Sequence, residues 1–166
     1  LTEFLYSLPD VFDEQFPNRA NAFQFDTDTR NIFICADSKR LLSAFLELLS
    51  NAAEADNSCG SIQIHSHVNA CGHTVTVSVT GKGSLSEINP SEMQTNPLID
   101  ADAPLTAQLS TPFFSTKENH AGLGLSIVAQ VCHTHHAGFE LYSRNGFTTA
   151  GITFPILAMD DMRNTI

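Results

Sequence analysis

Glu47 and Asn51 stand one helical turn apart in the run ELLSNAAEA and put a carboxylate and a neutral amide on the same flank of a helix. Oxygen donors of this kind suit magnesium, a hard cation that keeps several waters and takes few protein ligands. A solvated helix face would carry the same residue types, so the pair gains meaning only from what it faces. Further along, PFFSTK (112 to 117) is closely followed by AGLGLSIV (121 to 128). Gly122 and Gly124 allow close backbone approach at a helix start, whose unpaired N–H groups and positive dipole end suit phosphate oxygens. Lys117 adds a mobile cation. Alone, a Gly-x-Gly before a helix is a weak signal, because glycine there also serves tight packing.

Regular elements must hold these groups. Leu41, Leu42, Phe45, Leu48, Leu49 and Ala52 recur at helical spacing and predict a core-facing stripe on a helix from Ser38 to about Ala55, with Asp37 as its N-cap. Glu47 and Asn51 fall on the opposite flank. SIQIHSHV (61 to 68) and HTVTVSV (73 to 79) alternate apolar with polar residues around the turn NACG, predicting a hairpin. Its inward side is Ile62, Ile64, Val68, Val75, Val77 and Val79, and its other side is polar. A sheet covered on one face only follows, hence a two-layer sandwich. AFQFDT (22 to 27) and NIFICA (31 to 36) read as a further hairpin, GFELYS (138 to 143) and GITFPI (151 to 156) as closing strands, and Ile127, Val128 and Val131 as the stripe of a second helix. Leu1, Phe4, Leu5 and Leu8 predict a helix end, stopped by Pro9 and followed by linker to about residue 20. Periodicity fades between 84 and 121, where three prolines interrupt NPSEMQTNPLIDADAPLTAQ, and a loop this long reads as a functional lid.

Composition bounds the function. With 166 residues, 42% of them hydrophobic, the chain can bury one core. A formal net charge of -10 disfavours nucleic acid and anionic membrane surfaces as partners. It also repels ATP, so a nucleotide must be received by a divalent cation, backbone N–H groups and a few placed cations. Cys35, Cys59, Cys71 and Cys132 are scattered with no C-x-x-C pair, which fits a reducing cytoplasm. There is no apolar run of about 18 residues and no signal-peptide pattern at the start, and the opening at Leu1 without Met reads as a fragment of something larger.

LLSNAAEA, GKGS, PFFSTK, GLGLSIV and SRNGFTTAGITFPI occur in the order of the ATP-binding domain of sensor histidine kinases, and from about Phe25 to Ile156 the chain resembles that family. The resemblance implies a Bergerat (GHKL) α/β two-layer sandwich, a mixed sheet with helices on one face, spanning 21–158 with a lid at about 84–121 and a tail at 159–166. It implies ATP and Mg2+ as cofactors, with Asn51 binding the metal and Glu47 arranging the metal shell or the phosphoryl acceptor. Phe113 and Phe114 match the lid motif, Gly122, Leu123, Gly124 and Leu125 the phosphate-cradling turn, and Lys117 approaches the phosphates. The partners implied are a phosphoacceptor helical hairpin absent from this chain and a downstream response regulator. The isolated domain is expected to be monomeric, without direct membrane contact, and the parent homodimeric.

Two positions depart from the pattern. The family's first glycine motif is Asp-x-Gly-x-Gly, its acid accepting from the adenine amine, whereas this chain reads Val79, Thr80, Gly81, Lys82, Gly83. Thr80 or a water is left to compensate. His120 replaces a glycine of the second motif. These departures keep open an alternative, a degenerate domain with weak or no ATP binding that acts as a protein-interaction module in a phosphorelay. A gyrase, chaperone or mismatch-repair ATPase is disfavoured by PFFSTK before GLGL. Cys132, His133, His135 and His136 invite a metal reading, but adjacent histidines at a helix end more often bond carbonyls or water. His65 and His67 read as solvated strand positions.

Overall fold

The computed structural model describes residues 1–17, 22–28, 31–55, 60–83 and 123–157. Strands β2 (Ser61–Val68) and β3 (Thr74–Lys82) pair antiparallel, with Val68 opposite Val75 and Ile64 opposite Val79. Their turn is fastened by Asn69, whose Oδ1 accepts from the N–H groups of His73 and Thr74 at 3.0 and 3.2 Å. Strands β4 (Gly138–Arg144) and β5 (Phe147–Pro155) meet at Asn145-Gly146, both at positive φ, the signature of a tight two-residue hairpin. β5 therefore begins before the expected Gly151. Strand β1 (Ala22–Thr27) lies parallel to β2, and the five-stranded sheet has the order β1-β2-β3-β5-β4.

One face of this mixed sheet is apolar and carries the helices. Ile62, Ile64, Val75, Val77, Val79, Ile152 and Phe154 are buried there, as period-two alternation requires. The opposite face is polar, with the hydroxyl pairs Thr76–Thr153 at 2.9 Å and Thr80–Thr149 at 2.8 Å bridging adjacent strands. Helix α2 (Ser38–Ala55) buries Leu41, Ala44, Phe45, Leu48 and Leu49. Asp37 caps it, Oδ1 accepting from the N–H groups of Lys39 and Arg40 at 3.0 and 3.1 Å. The bond from Arg40 N–H is the main cause that holds the Asp37 carboxyl below its ordinary pKa. Helix α3 (Gly124–Thr134) buries Val128, Val131 and Cys132. Burial pushes the Cys132 thiol to about 11, so it packs as a small apolar group and is a poor nucleophile.

Two expectations are corrected. Helix α1 (Thr2–Gln15) does not stop at Pro9; it runs through it, and much of the expected linker is helix docked on the core. Leu5, Leu8 and Phe12 are fully buried, and Phe12 meets Phe23 with ring centroids 5.7 Å apart. An interior proline costs roughly 3 kcal/mol, whereas burying Leu8 and Phe12 around it contributes about 1.5–3 kcal/mol each. Burial prevails over local propensity. Likewise NIFICA forms no strand. β1 instead pairs with β2 from Ala22↔Ser61 to Thr27↔Ser66, and a parallel pair needs a long crossover, here α2. Residues 31–37 must then travel from the end of β1 to the start of α2. They are held there by Ile32, which is buried, and by the Phe33 carbonyl, which accepts from Leu157 N–H at 2.9 Å.

The last turn of α3 closes with Ala137 N–H bonded to Cys132 O at 2.8 Å and His136 N–H to His133 O at 3.3 Å, the Schellman pattern. That pattern puts His136 at φ 51, a conformation that favours glycine. His136→Gly is expected to stabilise the domain by about 1 kcal/mol in urea unfolding. An unchanged or lower midpoint would show that the histidine side chain compensates for the strain.

Candidate functional site

The C-terminal half of α2 lies across the end of β3 at a distance that side chains would prevent. A methyl group added to Gly81 would fall 2.7 Å from Ala52 Cβ and 3.0 Å from the Ala52 carbonyl oxygen, and one on Gly83 would fall 2.9 Å from Ala55 Cβ. Alanines on the helix and glycines on the strand therefore bring backbone against backbone. The other flank of the same turns carries Glu47 and Asn51, both partly buried, and it faces the start of α3. A Cβ on Gly124 would sit 2.6 Å from Glu47 Oε2 and 3.7 Å from Asn51 Nδ2. The two motifs predicted to share a ligand, far apart in sequence, thus meet at a single place. Leu123, the N-cap of α3, makes no side-chain cap hydrogen bond. Helix-start N–H groups without such a cap are suited to an anion.

The expected site residues divide into groups. Glu47, Asn51 and Gly124 converge, with exposed Leu123 at the same helix start, while Gly81 and Gly83 lie beside the last turns of α2. Leu125 packs against the apolar core. Phe113, Phe114, Lys117, Gly122, the departing His120 and the expected lid at 84–121 lie outside the described residues. Val79 is only 2% exposed, set in the apolar layer opposite Ile64 and Ala150. Thr80 cannot stand in for the missing acid, contrary to expectation: it points to the opposite face of the sheet, where its hydroxyl is paired with Thr149. The alternation of β3 makes this unavoidable.

Two hydroxyls were missed. Ser143 and Thr148 bond one another at 2.6 Å, and Thr148 donates to the Gly83 carbonyl at 3.1 Å, so polar groups enter the helix-covered layer beside Gly81, the register partner of Thr148. Their signal is the break in apolar alternation at Ser143 and Thr148 in SRNGFTT. Among the described residues no group of three or more His, Cys, Asp and Glu side chains is arranged to hold a metal. His135 has both ring nitrogens engaged by backbone groups, and His65 Nδ1 lies 3.0 Å from Asp26 Oδ2 on the open face.

Burial raises the pKa of Glu47 above the ordinary carboxylate value, and the charge of Glu54 adds to the effect. The donor set fits magnesium: an amide and a carboxylate supply hard oxygens beside a helix start that can take phosphate. The space that a Cβ on Gly124 would fill is taken by the Glu47 carboxylate, which brings that acid directly against the helix start.

The family described as histidine kinase-, DNA gyrase B-, and HSP90-like ATPase matches residues 36–158. The sensory histidine kinase/phosphatase NtrB of Rhizobium leguminosarum bv. phaseoli is 33% identical over 127 residues, 74% of this chain and 32% of that protein. NtrB of Rhodobacter capsulatus is 28% identical over 120 residues, 72% of this chain and 33% of that protein. The chain thus spans about a third of the length of these curated relatives. The nucleotide-free catalytic domain of histidine kinase ThkA superposes with a TM-score of 0.70 at 27% identity, covering 93% of this chain and 91% of that one. ThkA in complex with response regulator protein TrrA gives a TM-score of 0.68 at 25% identity, covering 95% of this chain and 40% of that one.

The raised pKa of Glu47 has a sign that can be checked. A carboxylate whose folded-state pKa is raised destabilises the fold while ionised, and that cost is relieved as pH falls through the folded pKa toward the ordinary value. Glu47→Gln should therefore raise the melting temperature of the nucleotide-free domain at pH 7, with the gain shrinking on acidification. A lower melting temperature at pH 7 would mean that the carboxylate makes stabilising contacts.

Proposed function

The chain belongs to the histidine kinase-, DNA gyrase B-, and HSP90-like ATPase family, and from that we propose that it binds Mg-ATP between α2 and α3 and presents the γ-phosphoryl group to a histidine on a helical hairpin of its parent protein. The observation that carries this reading is the approach of Gly124 to Glu47 and Asn51, which joins a phosphate-binding helix start to a metal-binding flank. Mg-ATP, once bound, supplies an electrophilic phosphorus whose charge the metal offsets. The chain's own part is positioning and neutralisation. The Asn51 amide oxygen takes the metal, and the N–H groups from Leu123 to Leu125 take phosphate oxygens. Glu47, with its raised pKa, orders the metal's water shell or receives a proton from the attacking group. The end of β3 at Gly81 and Gly83 would border the base, with the hydroxyls of Ser143 and Thr148 beside it. Phe113, Phe114, Lys117 and Gly122, outside the described residues, are assigned to nucleotide binding by the resemblance of their motifs alone.

Among the described residues no helix is a candidate phosphoacceptor, so the acceptor hairpin and a downstream response regulator are the partners of this reading. The complex of the similar ThkA with a response regulator supports the second. None of the helices among the described residues is long and apolar enough to cross a membrane, and we assign the domain to the cytoplasm. One observation favours a second reading, an interaction module with weakened nucleotide binding: Val79 is buried and apolar where an acid would receive the adenine amine, and Thr80 faces away.

Calorimetric titration with Mg-ATP separates the two, with saturable heat at micromolar affinity expected for the first and no heat at millimolar nucleotide for the second. Val79→Asp restores a charged acceptor and should tighten binding roughly ten- to a hundredfold, equivalent to about 1.5–3 kcal/mol. The same change should lower the melting temperature without nucleotide, because it buries a carboxylate. Unchanged affinity would sink the assignment of Val79 to the adenine end of the cleft.

A further inference from the structure

We propose that His135 is a positioning residue that sets the register of the two helices bounding the cleft, an inference that rests on the nucleotide reading above. His135 follows the last turn of α3, and its Nδ1 lies 2.7 Å from the carbonyl oxygen of Val131 in that turn. Its Nε2 lies 2.9 Å from the backbone nitrogen of Asp37, the cap of α2, 98 residues away in sequence. Both partners are backbone groups of fixed polarity. The Val131 carbonyl can only accept and the Asp37 N–H can only donate, so the bridge uses the tautomer with its proton on Nδ1. The imidazole therefore bridges the end of α3 to the beginning of α2.

That bridge closes one end of an antiparallel pair whose other end is the site. α2 leaves Asp37 and reaches Glu47 after ten residues, about 15 Å along its axis at 1.5 Å per residue. Over nearly the same length α3 runs back from His135 to Gly124, which lies against Glu47 and Asn51. The apolar stripes fix the distance between the helices but tolerate sliding along their axes, because hydrophobic contact is not directional. A directional tie at the far end removes that freedom. Asp37 is suited to receive it, since its carboxylate is already committed to the N–H groups of Lys39 and Arg40. Its own N–H is left to bond the ring.

Among uncharged side chains, glutamine also offers a donor and an acceptor at one tip, whereas leucine offers neither. His135→Leu is expected to weaken Mg-ATP binding about fivefold or more in calorimetry, and His135→Gln to remain within roughly twofold of the parent domain. Circular dichroism checks that both variants fold. Equal loss in the two, or parent-like affinity in the leucine variant, overturns the proposal. If the parent domain itself gives no heat with Mg-ATP, the nucleotide reading fails while the helix tie is still tested by amide NMR. The Asp37 amide should lose exchange protection and the Gly124 and Asn51 amide resonances should move in the leucine variant, both reverting in the glutamine variant. Unmoved Gly124 and Asn51 resonances would sink the tie as well.

Discussion

Close approach of α2 to three glycines governs this molecule, most tightly where the backbone of Ala52 lies against Gly81. The last turns of α2 are held between Gly81 and Gly83 on one side and Gly124 on another, each at a distance where an added Cβ would collide. Inserting even one methyl group into such a contact costs about 1–3 kcal/mol and displaces what it touches. For Gly81 the displaced element would be the helix backbone at Ala52, whereas for Gly124 it would be the far end of the flexible Glu47 side chain, at a smaller cost. Gly81 therefore sets how closely α2 lies on the end of β3, while Gly124 leaves room for the Glu47 carboxylate between the two helices.

α2 serves both through its two flanks. Leu41, Phe45, Leu48 and Leu49 face the sheet and anchor the helix, which leaves Glu47 and Asn51 on the side toward α3. Anchoring has a cost, because a flank close enough to reach α3 is also partly withdrawn from water, and burial is the main cause of the raised Glu47 pKa. The end of β3 makes the opposite choice. Val79 continues the apolar layer begun by Val75 and Val77, which favours the empty fold, where an acid would leave a buried charge without a partner until a ligand arrived. Among the described residues, Ser143 and Thr148 bring polar groups beside it and bond one another and the Gly83 carbonyl.

Features set by near neighbours in sequence were legible. Asp37 as a cap, the stripe of α2, the β2–β3 hairpin and its turn all depend on residues a few positions apart, and each stands where periodicity puts it. Features decided by distant partners were not. Pro9 reads as a helix stop until Leu8 and Phe12 find the core. NIFICA has the composition of a strand, but β1 takes β2 in parallel and residues 31–37 must lead from the end of β1 back to the start of α2. The candidate site shows the same division. Glu47, Asn51 and Gly124 could be picked out by type and spacing, yet that a missing Cβ on Gly124 makes room for the Glu47 carboxylate is a fact about two helices. The side on which Thr80 lies follows from strand alternation, and reading β3 strictly by its period would have placed it on the open face.

Net charge and cleft pull in opposite directions, and the geometry shows how they can be reconciled. A chain of charge -10 repels a triphosphate at long range, and this field extends over about a Debye length, roughly 8 Å at physiological ionic strength. Within the cleft, forces of shorter range take over. Helix-start N–H groups and an amide oxygen act at hydrogen-bonding or coordination distance, and they become effective only after the ligand's charge has been reduced. On the proposed reading a divalent cation arriving with the phosphates would reduce it, and partly buried Glu47 would add to the attraction for that cation. In such a site acidity beside the phosphates would be no contradiction, since the species recognised would be the metal complex and not the free polyanion.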